Sequence, residues 1–182
     1  MKLHLGCWHR YIDGFMHIDL CDLPHIDVKS SVDTLPFIES GVVDLIYASH
    51  VFEYFDQTKV PRVLEEWLRV LRPGGTLRLS VPDFSKLILV YQISGDIKSV
   101  IGPLYGRMNI EATDTVIFHK TMYDRTSLAS TLEANGFVDV CEWDWRYTEH
   151  SHIDDHSQAY YPHMQKEDGI QISLNLEARR PL

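Results

Sequence analysis

Positive charge, paired cysteines and long apolar runs are all scarce in this sequence. Its 17 Lys plus Arg face 26 Asp plus Glu, for a formal net charge of −9, so it lacks the basic face that would hold a nucleic-acid backbone. A small neutral or cationic ligand suits that field better, and no nucleic-acid partner is expected. Cys7, Cys21 and Cys141 are widely spaced and form no CxxC pair. Neither a disulfide framework nor a zinc site is indicated, and reduced thiols in the cytosol are the simplest reading. The amino end has no charged leader ahead of an apolar run, and no stretch approaches the roughly 18 apolar residues of a membrane span. A cytoplasmic location without a membrane partner is therefore expected. The glycines of a dinucleotide fingerprint are missing too: Gly6-Cys7-Trp8-His9 lacks the second and third Gly of GxGxxG, which counts against a nicotinamide-dependent oxidoreductase.

What is present suits a single domain over 1–182 that buries a sizeable core, since 45% of the 182 residues are hydrophobic and 24% charged. Lys2-Leu3-His4-Leu5 reads as a short strand running into Gly6-Cys7, and Met16-His17-Ile18-Asp19 as a second strand ending in an acid. An open parallel sheet binds ligands beyond the carboxyl ends of its strands, where a Gly turn admits the ligand and an acid can hold ribose hydroxyls. Taken alone, that pair is equally a tight turn with a solvated Asp.

Val42 to Ala48 is a nearly continuous apolar run, as in a strand covered on both faces. Val60, Val63, Leu64, Trp67, Leu68 and Leu71 recur at helical spacing on one stripe, with Pro61 in the first turn and Pro73-Gly74-Gly75 expected to stop the helix. Thr76 to Val81 follows as a strand, which completes a βαβ unit. Asp83 to about Ser94 predicts a helix with Leu87, Ile88 and Tyr91 on its common side; from Gly95 to Met122 the pattern weakens. Asp124 can cap a helix carrying Leu128 and Leu132, with Gly136 at its end. Phe137 to Trp143 and Ile170 to Ala178 alternate as strands with no helix between them, so an antiparallel pair across a long insertion is expected.

Leu3-His4-Leu5-Gly6-Cys7, Tyr11 to Phe15, Asp19, Asp33-Thr34-Leu35-Pro36-Phe37, Val43 to Glu53 and Leu71-Arg72-Pro73-Gly74-Gly75, in this order, resemble the class I S-adenosylmethionine-dependent methyltransferases. More narrowly, the chain looks like a compact bacterial branch that begins at its first strand. The resemblance implies an α/β, Rossmann-like three-layer fold with a mostly parallel seven-stranded sheet, its last strand antiparallel, and S-adenosylmethionine over the ends of the first, second and fourth strands. Carried over by residue, Gly6, Cys7 and Trp8 would form the turn beneath the methionine part, and Asp19, with Leu20 beside it, would hold the ribose. Asp33, Thr34 and Leu35 would meet the adenine, and Ala48, Ser49 and His50 would lie beside the methyl. Asp44 reads as structural.

Two departures stand out: Trp8 occupies a position where the family usually carries Gly, and Tyr54 stands where relatives usually carry His. The connection from Gly6 to Asp19 is also too short for a full first helix, so the helix dipole there is weakened. Arg10 is either a replacement charge or a surface cation.

A sulfonium methyl is already activated, so transfer mainly requires in-line placement and exclusion of water. Where the acceptor arrives protonated a base helps, and His50 and His119 are the catalytic candidates. His50 is equally a loop hydrogen-bonding residue, and Glu53 reads as orienting its turn. His119 and Tyr123 lie on the side where the family usually receives substrate, and the 95–122 region would form part of a lid. Glu149-His150-Ser151-His152-Ile153-Asp154-Asp155-His156 is a solvated loop, an acceptor wall through His150 and His152, or a metal site; no metal is assigned. The implied activity is methyl transfer from S-adenosylmethionine to a small polar or sugar-like acceptor. The alternative is an inactive protein of the same fold that binds the cofactor or a nucleoside. A homodimer stays open.

Overall fold

The computed structural model describes residues 1–110 and 114–182. Seven strands form the main sheet: β1 (Lys2–Leu5), β2 (Met16–Asp19), β3 (Val28–Lys29), β4 (Val43–Ser49), β5 (Leu71–Pro82), β8 (Val138–Glu142) and β11 (Ser173–Arg179), in the order β3-β2-β1-β4-β5-β11-β8. Two small ribbons complete the strands, β6 (Met108–Ile110) with β7 (Thr115–Ile117), and β9 (Tyr160–Tyr161) with β10 (Ile170–Gln171). Strands β1 to β5 run parallel, and β11 is antiparallel to both β5 and β8. The order reverses direction at β1 and β4, which opens a crevice at their carboxyl ends.

Helix α1 (Val60–Val70) buries Val60, Val63, Leu64, Trp67 and Val70, the stripe its spacing predicts. The indole of Trp67 donates to Val32 O at 2.8 Å, and Arg69 holds Leu35 O and Ile38 O at 3.0 Å each. That clamp fixes the 31–38 segment against the core. The helix ends at Val70, ahead of Pro73-Gly74-Gly75, which instead lies within β5: Val43 pairs with Leu71 and Leu45 with Thr76 across a register shift. Helix α2 (Phe84–Ser94) is capped by Asp83, whose carboxylate accepts from Ser85 N at 3.0 Å and Lys86 N at 3.3 Å. Its buried residues are Leu87 and Val90, whereas Ile88 and Tyr91 are 45% and 48% exposed, so only part of the expected stripe faces inward. It packs against α3 (Lys98–Tyr105), with Leu87, Val90 and Val100 forming a small separate cluster. Helix α4 (Arg125–Ala134) starts on a capping box between Asp124 and Ser127, a feature worth about 1 kcal/mol.

The two faces of the sheet differ in chemistry. Leu3, Leu5, Ile46, Ala48, Leu77, Leu79, Leu174 and Leu176 share one core with α1 and α4. Because strand side chains alternate, their neighbours His4, Tyr47, Arg78, Ser80 and Asn175 point to the opposite face. No helix joins β1 to β2, and the inserted 143–158 segment covers that face instead. Trp143 Nε1 donates to Leu79 O at 3.0 Å, Asn175 Nδ2 donates to Ser157 O at 3.1 Å, and Tyr47 OH donates to Asp155. The insertion thus supplies partners to part of this buried polar face, while His4 Nδ1 and Ser80 Oγ receive no hydrogen bond from the described residues. Asp44, at the start of β4, pairs with Arg72 across the sheet end, in keeping with a structural role. No helix among the described residues is long and apolar enough to cross a membrane.

Candidate active site

A cavity of about 920 Å³ opens over the carboxyl ends of β1, β2 and β4. Gly6, Cys7, Trp8, Asp19, Leu20, Ser49, His50 and His119 line it. The turn after β1 is drawn tight by Gly6 N donating to Ile18 O at 2.8 Å. Gly6 has φ +63°, and a Cβ there would fall 2.3 Å from Val51 Cγ2, so only Gly fits. Burial pushes the neighbouring Cys7 thiol up to about 12, which leaves it protonated and unreactive at neutral pH.

Asp19 sits at the tip of β2, nearly buried, with Oδ2 accepting from Trp8 N and Oδ1 from Cys21 N, both at 2.8 Å. Each oxygen keeps a lone pair beyond these amide bonds, so the carboxylate can still accept from two hydroxyls in the cavity. Trp8 adopts φ +44° and is 39% exposed on the cavity wall, its ring centroid 4.2 Å from that of His9. Arg10 also lines the cavity, its Nε donating to Asp154 O at 3.1 Å.

At the far side of β4, His50 holds a left-handed backbone at φ +53°. A non-glycine residue in that region carries strain, which collects at functional positions. Its Nε2 lies 2.9 Å from Ser173 Oγ, and its Nδ1 lies 3.4 Å from Glu53 Oε1. The main chain of Glu53 ties this turn to a distant segment, since Lys120 N donates to Glu53 O at 2.8 Å and Thr121 N at 3.2 Å. That zipper carries His119 to within 3.6 Å of the same Oε1. His119 Nδ1 donates to Pro103 O at 2.8 Å, and its ring lies so close to Gly106 that a Cβ there would fall 1.8 Å from Nε2. Tyr54 donates its hydroxyl to Gly106 O at 2.7 Å and sets its ring edge-on to His119. Tyr54 therefore braces the histidine ring. Burial lowers the pKa of both His50 and His119, so each imidazole is neutral near pH 7.

Several expected positions lie elsewhere. Asp33 accepts from Ser31 Oγ, Thr34 is exposed, and Leu35 is drawn into the core under α1; Ser31 and Val32 line the cavity in their place. Ala48 turns its methyl into the core. Tyr123 is buried against Phe52, their rings 5.5 Å apart, below the cavity floor and off its lining. His150 packs beneath the sheet against Tyr47 at 4.3 Å, and His152 is exposed, so neither forms an acceptor wall. From the same run Asp154, Asp155 and His156 do reach the cavity. No group of three His, Cys, Asp or Glu among the described residues could hold a metal ion. From the 95–122 region expected as part of a lid, Ser99, Gly102, Pro103, Met108, Ile110 and Ile117 line the cavity, and Tyr160 and Tyr161 line it beside Ala159, His163 and Met164. Apart from His119 and the two tyrosines, the sequence marked none of these positions individually, because the periodicity weakens after Gly95.

The strand order, the antiparallel β11 and the placement of the cavity define the fold of the class I S-adenosylmethionine-dependent methyltransferases. Residues 17–79 match the family described as a methyltransferase domain. A methyltransferase of this kind from Mesorhizobium loti is similar at 18% identity and TM-score 0.53, over 98% of this chain and 90% of that one. One from Methanosarcina mazei is similar at 15% identity and TM-score 0.57, over 100% and 92%. The Burkholderia thailandensis 1,6-didemethyltoxoflavin-N1-methyltransferase, with 1,6-didemethyltoxoflavin and S-adenosylhomocysteine bound, is similar at 15% identity and TM-score 0.58, over 100% and 71%. No curated protein matches the sequence.

Proposed function

We propose that this protein transfers a methyl group from S-adenosylmethionine to a small polar acceptor. The observation that carries the reading is Asp19: a nearly buried carboxylate at the β2 tip, bonded to the turn after β1 and facing a cavity of about 920 Å³. That volume lies at the upper end of ordinary ligand sites, about 300–1,000 Å³, and leaves room for an acceptor beside a nucleoside cofactor. The Burkholderia relative, with a small acceptor and the demethylated cofactor bound together, supports the small-molecule reading.

The residues present fit the cofactor. Asp19 would accept the ribose hydroxyls, the Gly6 turn would admit the methionine part, and Ser31 and Val32 would border the adenine. Ser49 and His50 would flank the methyl. When bound, S-adenosylmethionine supplies an activated methyl on a sulfonium sulfur. The chain holds the acceptor in line beneath the lid of α3 and the β6–β7 ribbon, excludes competing water, and offers His50 or His119 to take an acceptor proton.

Calorimetric titration with S-adenosylmethionine, S-adenosylhomocysteine and NAD tests the reading: the first two are expected to bind and NAD is not. Asp19→Ala is expected to weaken S-adenosylhomocysteine by roughly 10–100-fold, because charged hydrogen bonds contribute about 1.5–3 kcal/mol each. Unchanged affinity in a folded variant would remove the ribose assignment.

Trp8→Gly tests whether the indole crowds the turn or stacks on the ligand. Glycine relieves the left-handed strain at φ +44°, worth about 1–2 kcal/mol, so the melting temperature is expected to rise by roughly 2–8 °C with cofactor binding retained. A tenfold or greater loss of binding would show instead that the indole stacks on the ligand.

A further inference from the structure

Glu53 is a fully buried carboxyl group, and neither of its oxygens receives a hydrogen bond from the described residues. Its neighbours reveal which protons are available. Ser173 Oγ donates to His156 O, so its single proton is committed and it must accept from His50 Nε2, 2.9 Å away. His50 therefore carries its proton on Nε2 and presents a bare Nδ1 to Glu53 Oε1. Pro103 O can only accept, so His119 carries its proton on Nδ1 and presents a bare Nε2 to the same oxygen. Two lone pairs thus converge on Oε1 from 3.4 and 3.6 Å. An ionised carboxylate there would face acceptors on both sides without solvent, a costly arrangement; one proton on the centre resolves it.

We propose that Glu53 is a positioning residue whose Oε1 shares a single proton with His50 Nδ1 and His119 Nε2, which fixes the tautomer and orientation of both rings where they face an acceptor in the cavity. This rests on the methyl-transfer reading of the same cavity. Both imidazoles border the cavity while the carboxyl lies behind them, so Glu53 acts through the histidines. Burial lifts the Glu53 carboxyl to about 8 and holds both imidazoles low, consistent with a proton kept among the three. The other ionisable groups facing the centre are Tyr54 and Tyr123, and His156, whose ring lies 5.0 Å from that of His50.

NMR of the full chain without ligand, with ¹⁵N-labelled histidine and ¹³C-labelled glutamate, tests this independently of activity. At pH 6.5 the Glu53 carboxyl carbon, His50 and His119 are expected to report one proton shared among them, and all three to shift in one common titration near pH 8. In Glu53→Gln that common step should vanish, with both imidazoles staying neutral from about pH 6.5 to 9. An ionised Glu53 beside two neutral imidazoles at pH 6.5, ring shifts in Glu53→Gln that follow the wild type, or a stoichiometric metal ion in elemental analysis would each overturn the proposal. If Glu53→Gln does not fold, the wild-type carboxyl shift decides alone. Failure of the methyl-transfer reading appears separately, as absent S-adenosylhomocysteine binding in calorimetry.

Discussion

Gly6→Ala is expected to lower the melting temperature by on the order of 10 °C and to weaken S-adenosylhomocysteine at least tenfold. Two costs add at this position. A residue with a Cβ at φ +63° carries about 1–2 kcal/mol of left-handed strain. The Cβ would also meet Val51 Cγ2 at 2.3 Å, and overpacking of this kind costs about 1–3 kcal/mol. For a chain of this size each kcal/mol moves the melting temperature by roughly 2–4 °C. A binding loss is expected because Val51, on the turn next to His50, lines the cavity, and its displacement by the new Cβ would disturb that lining. The double variant Gly6→Ala/Val51→Ala separates the costs: it removes the clash and keeps the dihedral strain. A double-mutant cycle should give a coupling of about 1 kcal/mol or more, and additive losses would mean that Val51 is not the obstacle.

Stability is expected to peak near neutral pH and to fall on both sides for different reasons. Burial raises the folded Glu53 carboxyl from 4.5 to about 8, so between these values the native state binds the extra proton. Its contribution is fully present below the unfolded value and is lost as pH rises through about 8, at a slope approaching 1.4 kcal/mol per pH unit. The histidines act in the opposite sense. His4, His50, His119 and His150 all have folded pKa values below the ordinary 6.5, chiefly through burial. The unfolded chain therefore takes up protons first as the solution is acidified. Their contribution is present above 6.5 and is lost below it, where several histidines outweigh one carboxyl. Urea midpoints between about pH 5 and 8.5 measure both limbs, short of the range where the Cys7 thiol, raised from 9.0 to about 12, enters. Glu53→Gln should flatten the alkaline limb and leave the acid limb in place. A wild-type midpoint that stays constant from pH 6.5 to 8.5 would show that Glu53 is not held as a buried acid.

Much of the frame was legible in the order of residues because each signal there is local. The alternation in Lys2–Leu5 and Met16–Asp19, the helical stripe from Val60 to Val70 and the Asp124 cap each depend on neighbours within a turn or two. Asp19 at a strand end and Gly6 at a turn were readable for the same reason, and both reach the cavity. Spacing alone could not rank Asp33 against Ser31. That choice belongs to Trp67 and Arg69, which pin Val32, Leu35 and Ile38 from another element.

The histidines show the limit most clearly. His50, His119, His150 and His152 are alike in composition, and only the folded chain sorts them: two into the cavity, one beneath the sheet against Tyr47, one into solvent. The 120–121 segment pairs with the carbonyl of Glu53 by main-chain hydrogen bonds, a contact with no periodicity and no dependence on side-chain identity. Side-chain patterns therefore laid down the strands, the α1 stripe and the acid at the sheet tip. The meeting of Glu53 with two distant imidazoles was settled in three dimensions, because a main-chain bond between remote loops leaves no trace in the identities of the residues that make it.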